Sequence, residues 1–218
     1  MSPLSALWHA TVGKKIVMAV TGIVMVLFLI SHVISNVLIF SNPGHLDSYG
    51  AWLRSLGPLL WIARAVLLAC VILHGIAAWQ LTQRAHAARP DGYDKYERQV
   101  TTYAGRTMRW GGVLLAVFIV FHILHFTTGT FHPDFHPGEV GRNVITGMAV
   151  TPVAIFYLVA MLALGAHLWH GTWSVFQTLG INHPAWNRSR KVIAIGLAVL
   201  IAGGFATIPL AALLGWLR

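Results

Sequence analysis

Six of the twelve histidines stand where an imidazole is least expected. His32, His74, His122, His125, His167 and His170 all fall inside long apolar runs, and two couples, His122/His125 and His167/His170, are three residues apart. In an apolar medium an ionisable ring is costly, usually faces the interior of a bundle, and marks a functional site by default. A neutral ring there can make an interhelical hydrogen bond worth about 1 kcal/mol, or it can offer a nitrogen lone pair to a metal. The first use suffices for one histidine. Four different runs, each carrying at least one, are harder to account for by packing.

The other six histidines, His9, His45, His86, His132, His136 and His183, lie in flanks and connecting segments, where a solvated or interfacial ring is the ordinary reading. "HPDFHP" at 132–137 offers two imidazoles and a carboxylate to a metal ion, but in an exposed loop that is weak grounds for a site. Zinc favours four grouped ligands, often with cysteine or carboxylate. The one cysteine, Cys70, sits inside an apolar run, and all six acidic residues read as loop residues. That excludes a disulfide framework, a cysteine zinc site and covalent haem attachment through C-x-x-C-H. The lack of acids in the apolar runs also counts against a proton or ion pump, which ordinarily uses buried carboxylates.

The elements that must position these rings follow from composition. The 218 residues are 56% hydrophobic and 10% charged, with mean hydropathy +0.69, too apolar for an ordinary soluble domain. Five runs are long enough to span a hydrocarbon layer of about 30 Å as helices: 16–40, 59–81, 110–128, 152–176 and 192–217. The fold class is therefore an all-α integral membrane protein, one bundle of five transmembrane helices. The first run is too long, and lacks a small-residue cleavage site, to read as a removable leader. No strand-like alternation suggests a β-barrel. The connecting stretches 41–58 and 129–143 are rich in glycine, proline and serine or asparagine and read as surface turns.

The net charge of +9 does not point to nucleic acid. Lys14, Lys15, Arg84, Arg89, Lys95, Arg98, Arg106, Arg109, Arg188, Arg190 and Lys191 all fall on one side of such a bundle, against Arg54, Arg142 and Arg218 on the other and Arg64 within a span. The positive-inside rule places the N-terminus in the cytoplasm and the C-terminus outside.

Depth then sorts the histidines. His32 is 17 residues past Lys15 and His122 is 13 past Arg109, roughly 25 and 20 Å up two ascending helices at 1.5 Å per residue. His74 is 10 residues before Arg84, and His167 and His170 are 13 and 10 before Gly180, roughly 15, 20 and 15 Å from the inner face. The first and third spans carry histidine toward the outside, the second and fourth toward the inside. Two levels with opposed imidazoles are what two stacked b-type haems need, each iron taking axial nitrogens from facing helices. Depth and spacing accept His125 beside His122, and His170 beside His167.

"TGIVMVLFLISH" ending at His32, "LHGIAAWQL" around His74, "RWGGVLLAVFIVFH" from Arg109 to His122, and "HLWHGTWSVFQTLGIN" from His167 to Asn182 carry a resemblance. Over essentially all five spans the chain resembles the single-polypeptide dihaem cytochrome b anchor of succinate:quinone oxidoreductases and quinol:fumarate reductases. The resemblance implies His32 with His122 as axial ligands of an outer haem, and His74 with His167 as those of an inner one. His167 is singled out by the pattern H-x-x-x-G-x-W-S, met here by Gly171, Trp173 and Ser174. His125 and His170 are then secondary, available to a haem edge, a propionate or a quinone.

The same resemblance implies two haem b and a quinone, commonly menaquinone, as electron acceptor or donor. It also implies partner flavoprotein and iron–sulfur subunits, a bacterial-type inner membrane, and a place in the respiratory complex II of the tricarboxylic acid cycle. Succinate chemistry itself would lie on the flavoprotein. The basic stretch 84–109 is a candidate docking surface. Haem propionates seek cations near the membrane faces; Arg64 is the candidate outside, Lys15, Arg109 and Lys191 inside. Two alternatives stay open: a dihaem b subunit of another quinone-linked oxidoreductase, and a non-haem transporter lined by histidines.

Overall fold

The computed structural model describes residues 5, 8–88 and 103–217, which are helical almost throughout and contain no strand. Residues 89–102, with Arg89, Lys95 and Arg98 of the candidate docking stretch, and Arg218 lie outside the described residues. The helices run in the order α1 (Thr11–Asn36), α2 (Gly44–Ser55), α3 (Pro58–Ala87), α4 (Tyr103–Phe126), α5 (Val140–Met148), α6 (Thr151–Thr178), α7 (Asn187–Ala198) and α8 (Gly204–Leu213). Five stretches are long and apolar enough to cross a membrane: Thr11–Phe40, Pro58–Ala87, Ala104–Phe126, Thr151–Thr178 and Pro184–Leu213. They coincide with the five expected spans, extended by a few residues at most ends. The protein is an all-α, multi-pass membrane protein.

The last span is not one regular helix. A π-helical stretch, Val199–Gly203, joins α7 to α8, and Pro209 sits inside α8. A π turn admits one extra residue and re-phases the faces on either side of it. Here it accompanies a close approach: a Cβ on Gly204 would lie 2.6 Å from Cγ2 of Val33 on α1.

The connecting stretches differ from the surface turns expected. α2 occupies most of 41–58, and α5 follows the second loop. Both fold because they have a core to lie on. Leu46 of α2 and Val144 and Met148 of α5 are buried with Ile39, Tyr157 and Ile208 in one apolar cluster. Gly141 N–H donates to Asp47 Oδ1 at 2.9 Å and ties the two short helices together. A Cβ at Gly141 would meet the carbonyl oxygen of Pro43 at 2.5 Å, so only glycine allows this contact.

α6 is the hub. Its residues Ala160, Met161, Leu164 and Leu168 form a second cluster with Ala198, Ile201 and Ala202 of the last span. α1 packs along α3, and α4 along α6. By contrast, α1 against α4 and α3 against α6 make little backbone contact. α3 buries only Cys70 and Ala77, and polar contacts add to its packing on α1. Thr21 Oγ1 lies 3.1 Å from His74 Nδ1, Lys14 Nζ donates to Gln80, and Arg84 donates to Thr11 Oγ1 at 3.2 Å and to the His9 carbonyl at 2.9 Å.

Candidate functional site

Two pairs of imidazoles bridge the helices that otherwise stay apart. His32 of α1 faces His122 of α4 with ring centroids 6.0 Å apart and planes at 83°. His74 of α3 faces His167 of α6 at 6.2 Å and 51°. The pairs sit at different levels: Thr21, beside His74, precedes His32 by 11 residues on α1, and Tyr157, beside His122, precedes His167 by 10 on α6. Both offsets correspond to about 15 Å along the bundle.

Apolar rings wall the first pair. Phe28 stacks on His32 at 5.1 Å, Phe205 lies 5.4 Å from it, and Phe118 and Phe126 flank His122 at 5.7 and 5.8 Å. With imidazole–metal bonds of about 2.0–2.1 Å, one metal ion between two rings sets their centres about 6 Å apart, the separation seen in both pairs. His167 adds a second sign: its Nδ1 is buried and has no hydrogen-bond partner among the described residues. A buried polar atom left so costs about 1–3 kcal/mol, which only a partner at that nitrogen itself would offset. The residues present fit a bis-imidazole metal group at each level.

Proton positions follow from the hydrogen bonds. Thr21 gives its one hydroxyl proton to the carbonyl of Val17 at 2.7 Å, with that of Met18 at 3.2 Å. It must therefore accept from His74, whose proton sits on Nδ1 and whose Nε2 lone pair is free. His122 Nδ1 lies 3.2 Å from the Tyr157 hydroxyl, again leaving Nε2. His32 is the exception: the Asn36 amide donates to its carbonyl at 2.7 Å and lies 3.3 Å from its Nδ1. Metal binding through Nε2 requires that amide to give up the ring contact.

His125 is placed differently from His122. It is fully buried (0% exposed), with Phe126 at 4.1 Å and His132 at 5.1 Å between ring centroids. A Cβ on Gly147 would lie 2.9 Å from its Nε2. α5 thus closes over this nitrogen and leaves a macrocycle no room. His170 is half-buried one turn beyond His167 and forms no hydrogen bond or ring pair with a described residue.

The four candidate propionate partners all point outward. Arg64 lies over the exposed Trp61 ring at 4.9 Å, Arg109 is within 2.9 Å of His86 Nε2, and Lys15 and Lys191 are exposed. Among the described residues the buried cations are their neighbours, Lys14 (2% exposed) and Arg190 (3%). Lys14 stands over the Trp8 ring at 4.2 Å and lines, with Trp79, Gln80 and Arg84, a cavity of about 340 Å³ at the basic end of the bundle. Arg190 lies over Trp173 at 4.7 Å and reaches Asn187, but its Nε and Nη1 are buried without a partner among the described residues.

"HPDFHP" is a structural loop at the other end. His132 turns inward and lies 2.8 Å from the Asn143 carbonyl, while His136 and Arg142 pair with Asp134 at 3.0 and 2.8 Å. The hydrogen bond from His136, seconded by Arg142, holds the Asp134 carboxyl below the usual carboxylate range. Glu139 and Asp134 likewise hold Arg142 above its ordinary value. No group of three histidine, cysteine, aspartate or glutamate side chains is arranged to hold a metal ion among the described residues.

Residues 89–205 match the family model of the succinate dehydrogenase/fumarate reductase transmembrane subunit. The chain belongs to this family. No curated protein and no solved structure matches it. Within this transmembrane subunit the match takes in α4 to the start of α8, and so His122 and His167. α1 and α3, with His32 and His74, precede it. Each imidazole pair joins one ring from inside the matched region to one from outside it.

Proposed function

We propose that this transmembrane subunit is the dihaem cytochrome b anchor of its complex. Two b-type haems, one at His32–His122 and one at His74–His167, would pass electrons between an iron–sulfur subunit and a quinone, commonly menaquinone in anchors of this kind. The observation that carries the reading is the pair of 6.0 and 6.2 Å imidazole couples, each joining helices that make little backbone contact. Haem supplies one-electron chemistry when bound; the chain's part is to hold, orient and shield it.

His32, His74, His122 and His167 would provide the axial nitrogens. Thr21 holds the His74 proton away from the coordinating side, and the phenylalanines around His122 and His32 keep water out. Lys14 and Arg190 are the buried cations suited to haem carboxylates, in place of the exposed Lys15 and Lys191. We further assign the basic end to the cytoplasm on its charge, a bacterial-type inner membrane as location, and flavoprotein and iron–sulfur subunits as partners.

The test is spectroscopic. The complex purified in detergent should give a reduced-minus-oxidised b-type spectrum with two haems per chain. Single alanine substitutions at positions 32, 74, 122 and 167 should each remove one haem, and those at 125 and 170 should remove none. A preparation without the b-type signal sinks the reading in favour of a non-haem protein. A haem lost from His125→Ala or His170→Ala overturns the pairing.

A further inference from the structure

Tyr157 stands between the two α4 histidines that spacing alone leaves equivalent. Its hydroxyl lies 3.2 Å from Nδ1 of His122 and 3.1 Å from Nδ1 of His125, and the residue is buried. A phenol has one proton to give, so it can donate to only one of the two rings, and the two Nδ1 atoms are its hydrogen-bond partners among the described residues. A histidine that binds metal through Nε2 carries its proton on Nδ1 and donates it outward. With His122 in that state, its Nδ1–H donates to Tyr157, and Tyr157 donates to His125 Nδ1. The His125 proton then lies on Nε2, the atom that is buried beside Gly147 without a partner among the described residues. His132 cannot take that proton: its Nδ1 accepts the Asp134 N–H at 3.0 Å, so its Nε2–H is the donor to the Asn143 carbonyl. The run of bonds has one direction and ends at His125.

We propose that Tyr157 is a positioning residue for His122, and that His125 is the acceptor that polarises it. This rests on the dihaem reading above. A ring that donates its Nδ1–H is a stronger donor to the metal, which favours the oxidised ion, and a phenol whose own proton is engaged is a better acceptor. Tyr157 and His125 together therefore hold the potential of the haem at His32–His122 below the value it would have without them. Thr21 serves His74 by a different route, because its proton ends on a backbone carbonyl. The two levels are thus tuned separately.

The experiment is a redox titration of the assembled complex carrying Tyr157→Phe, with the low-temperature EPR signals of both haems. Both haems should be retained, one midpoint potential should rise with a change in its EPR signal, and the other should stay put. Two haems with both potentials unmoved overturn the proposal while leaving the dihaem reading intact; a wild-type complex without haem overturns that reading and the proposal with it. Should Tyr157→Phe fail to assemble, His125→Leu decides, since it removes the acceptor and leaves the Tyr157–His122 bond in place. One midpoint potential must then rise while the other stays put, and no shift overturns the proposal.

Discussion

Replacing Thr21 by valine isolates the role of a single hydroxyl. Valine nearly matches threonine in volume, and position 21 is only 6% exposed, so the packing of α1 on α3 changes little. What disappears is the acceptor 3.1 Å from His74 Nδ1. An unsatisfied buried donor costs about 1–3 kcal/mol, and the ring can avoid that cost by moving its proton to Nε2, the nitrogen a metal needs. Loss of an outer partner of a metal-bound histidine typically lowers metal affinity about 10–100-fold, or about 1.4–2.7 kcal/mol at 1.36 kcal/mol per decade, in the same range. The His32–His122 pair is about 15 Å away along the bundle and should be unaffected. The assay is haem loss from the detergent-purified complex to an excess of a haem-scavenging protein. In Thr21→Val one of the two proposed haems should leave about 10–100 times faster, and Thr21→Ser should restore the wild-type rate. Unchanged loss of both haems, or faster loss of both alike, would refute the reasoning.

Three further outcomes are expected. Lys14→Met should lower the thermal midpoint of the purified complex, because Gln80 and Trp8 lose a buried partner, whereas the exposed Lys15→Met should leave it unmoved. Gly147→Ala puts a Cβ 2.9 Å from the rings of both His125 and His132 and should destabilise the far end of the bundle by about 1–3 kcal/mol, visible as faster proteolysis of the 129–139 loop. The Asp134 carboxyl is held down by His136 and Arg142, so its contribution is fully present above the usual carboxylate value and is lost as pH falls through its lowered one. Proteolysis of that loop in wild type should accelerate in this acid range, and in Asp134→Asn it should already be fast at neutral pH.

The spans were legible because an apolar run long enough to cross a bilayer leaves the chain few other choices. α2 and α5 were not: their glycine and proline suit turns, and only burial of Leu46, Val144 and Met148 against the ends of the spans makes them helices. Histidine depth was readable from counting, since a helix climbs a constant amount per residue. Rotation was less so. One residue turns about 100°, and that step separates buried Lys14 from exposed Lys15 and buried Arg190 from exposed Lys191. Thr21 and Tyr157 escaped notice because their partners lie 53 and 35 residues away. A search for hydroxyl residues at the same depth as each histidine on a neighbouring span would have brought both forward.

The α1–α3 contacts also act as a register lock. Ten residues separate Thr11 from Thr21 on α1, and ten separate His74 from Arg84 on α3; Lys14 and Gln80 fall between. Sliding α3 by one helical turn, about 5.4 Å, would break all three contacts at once. Lipid gives nothing back, because apolar helix faces gain no hydrophobic energy from each other in a bilayer. The first two spans therefore form a hairpin whose alignment is fixed by polar side chains together with the close packing of buried Ala77 and Cys70. Since that hairpin carries His32 and His74, the same alignment places both rings opposite His122 and His167 in a single step, and a slip would misplace the two together.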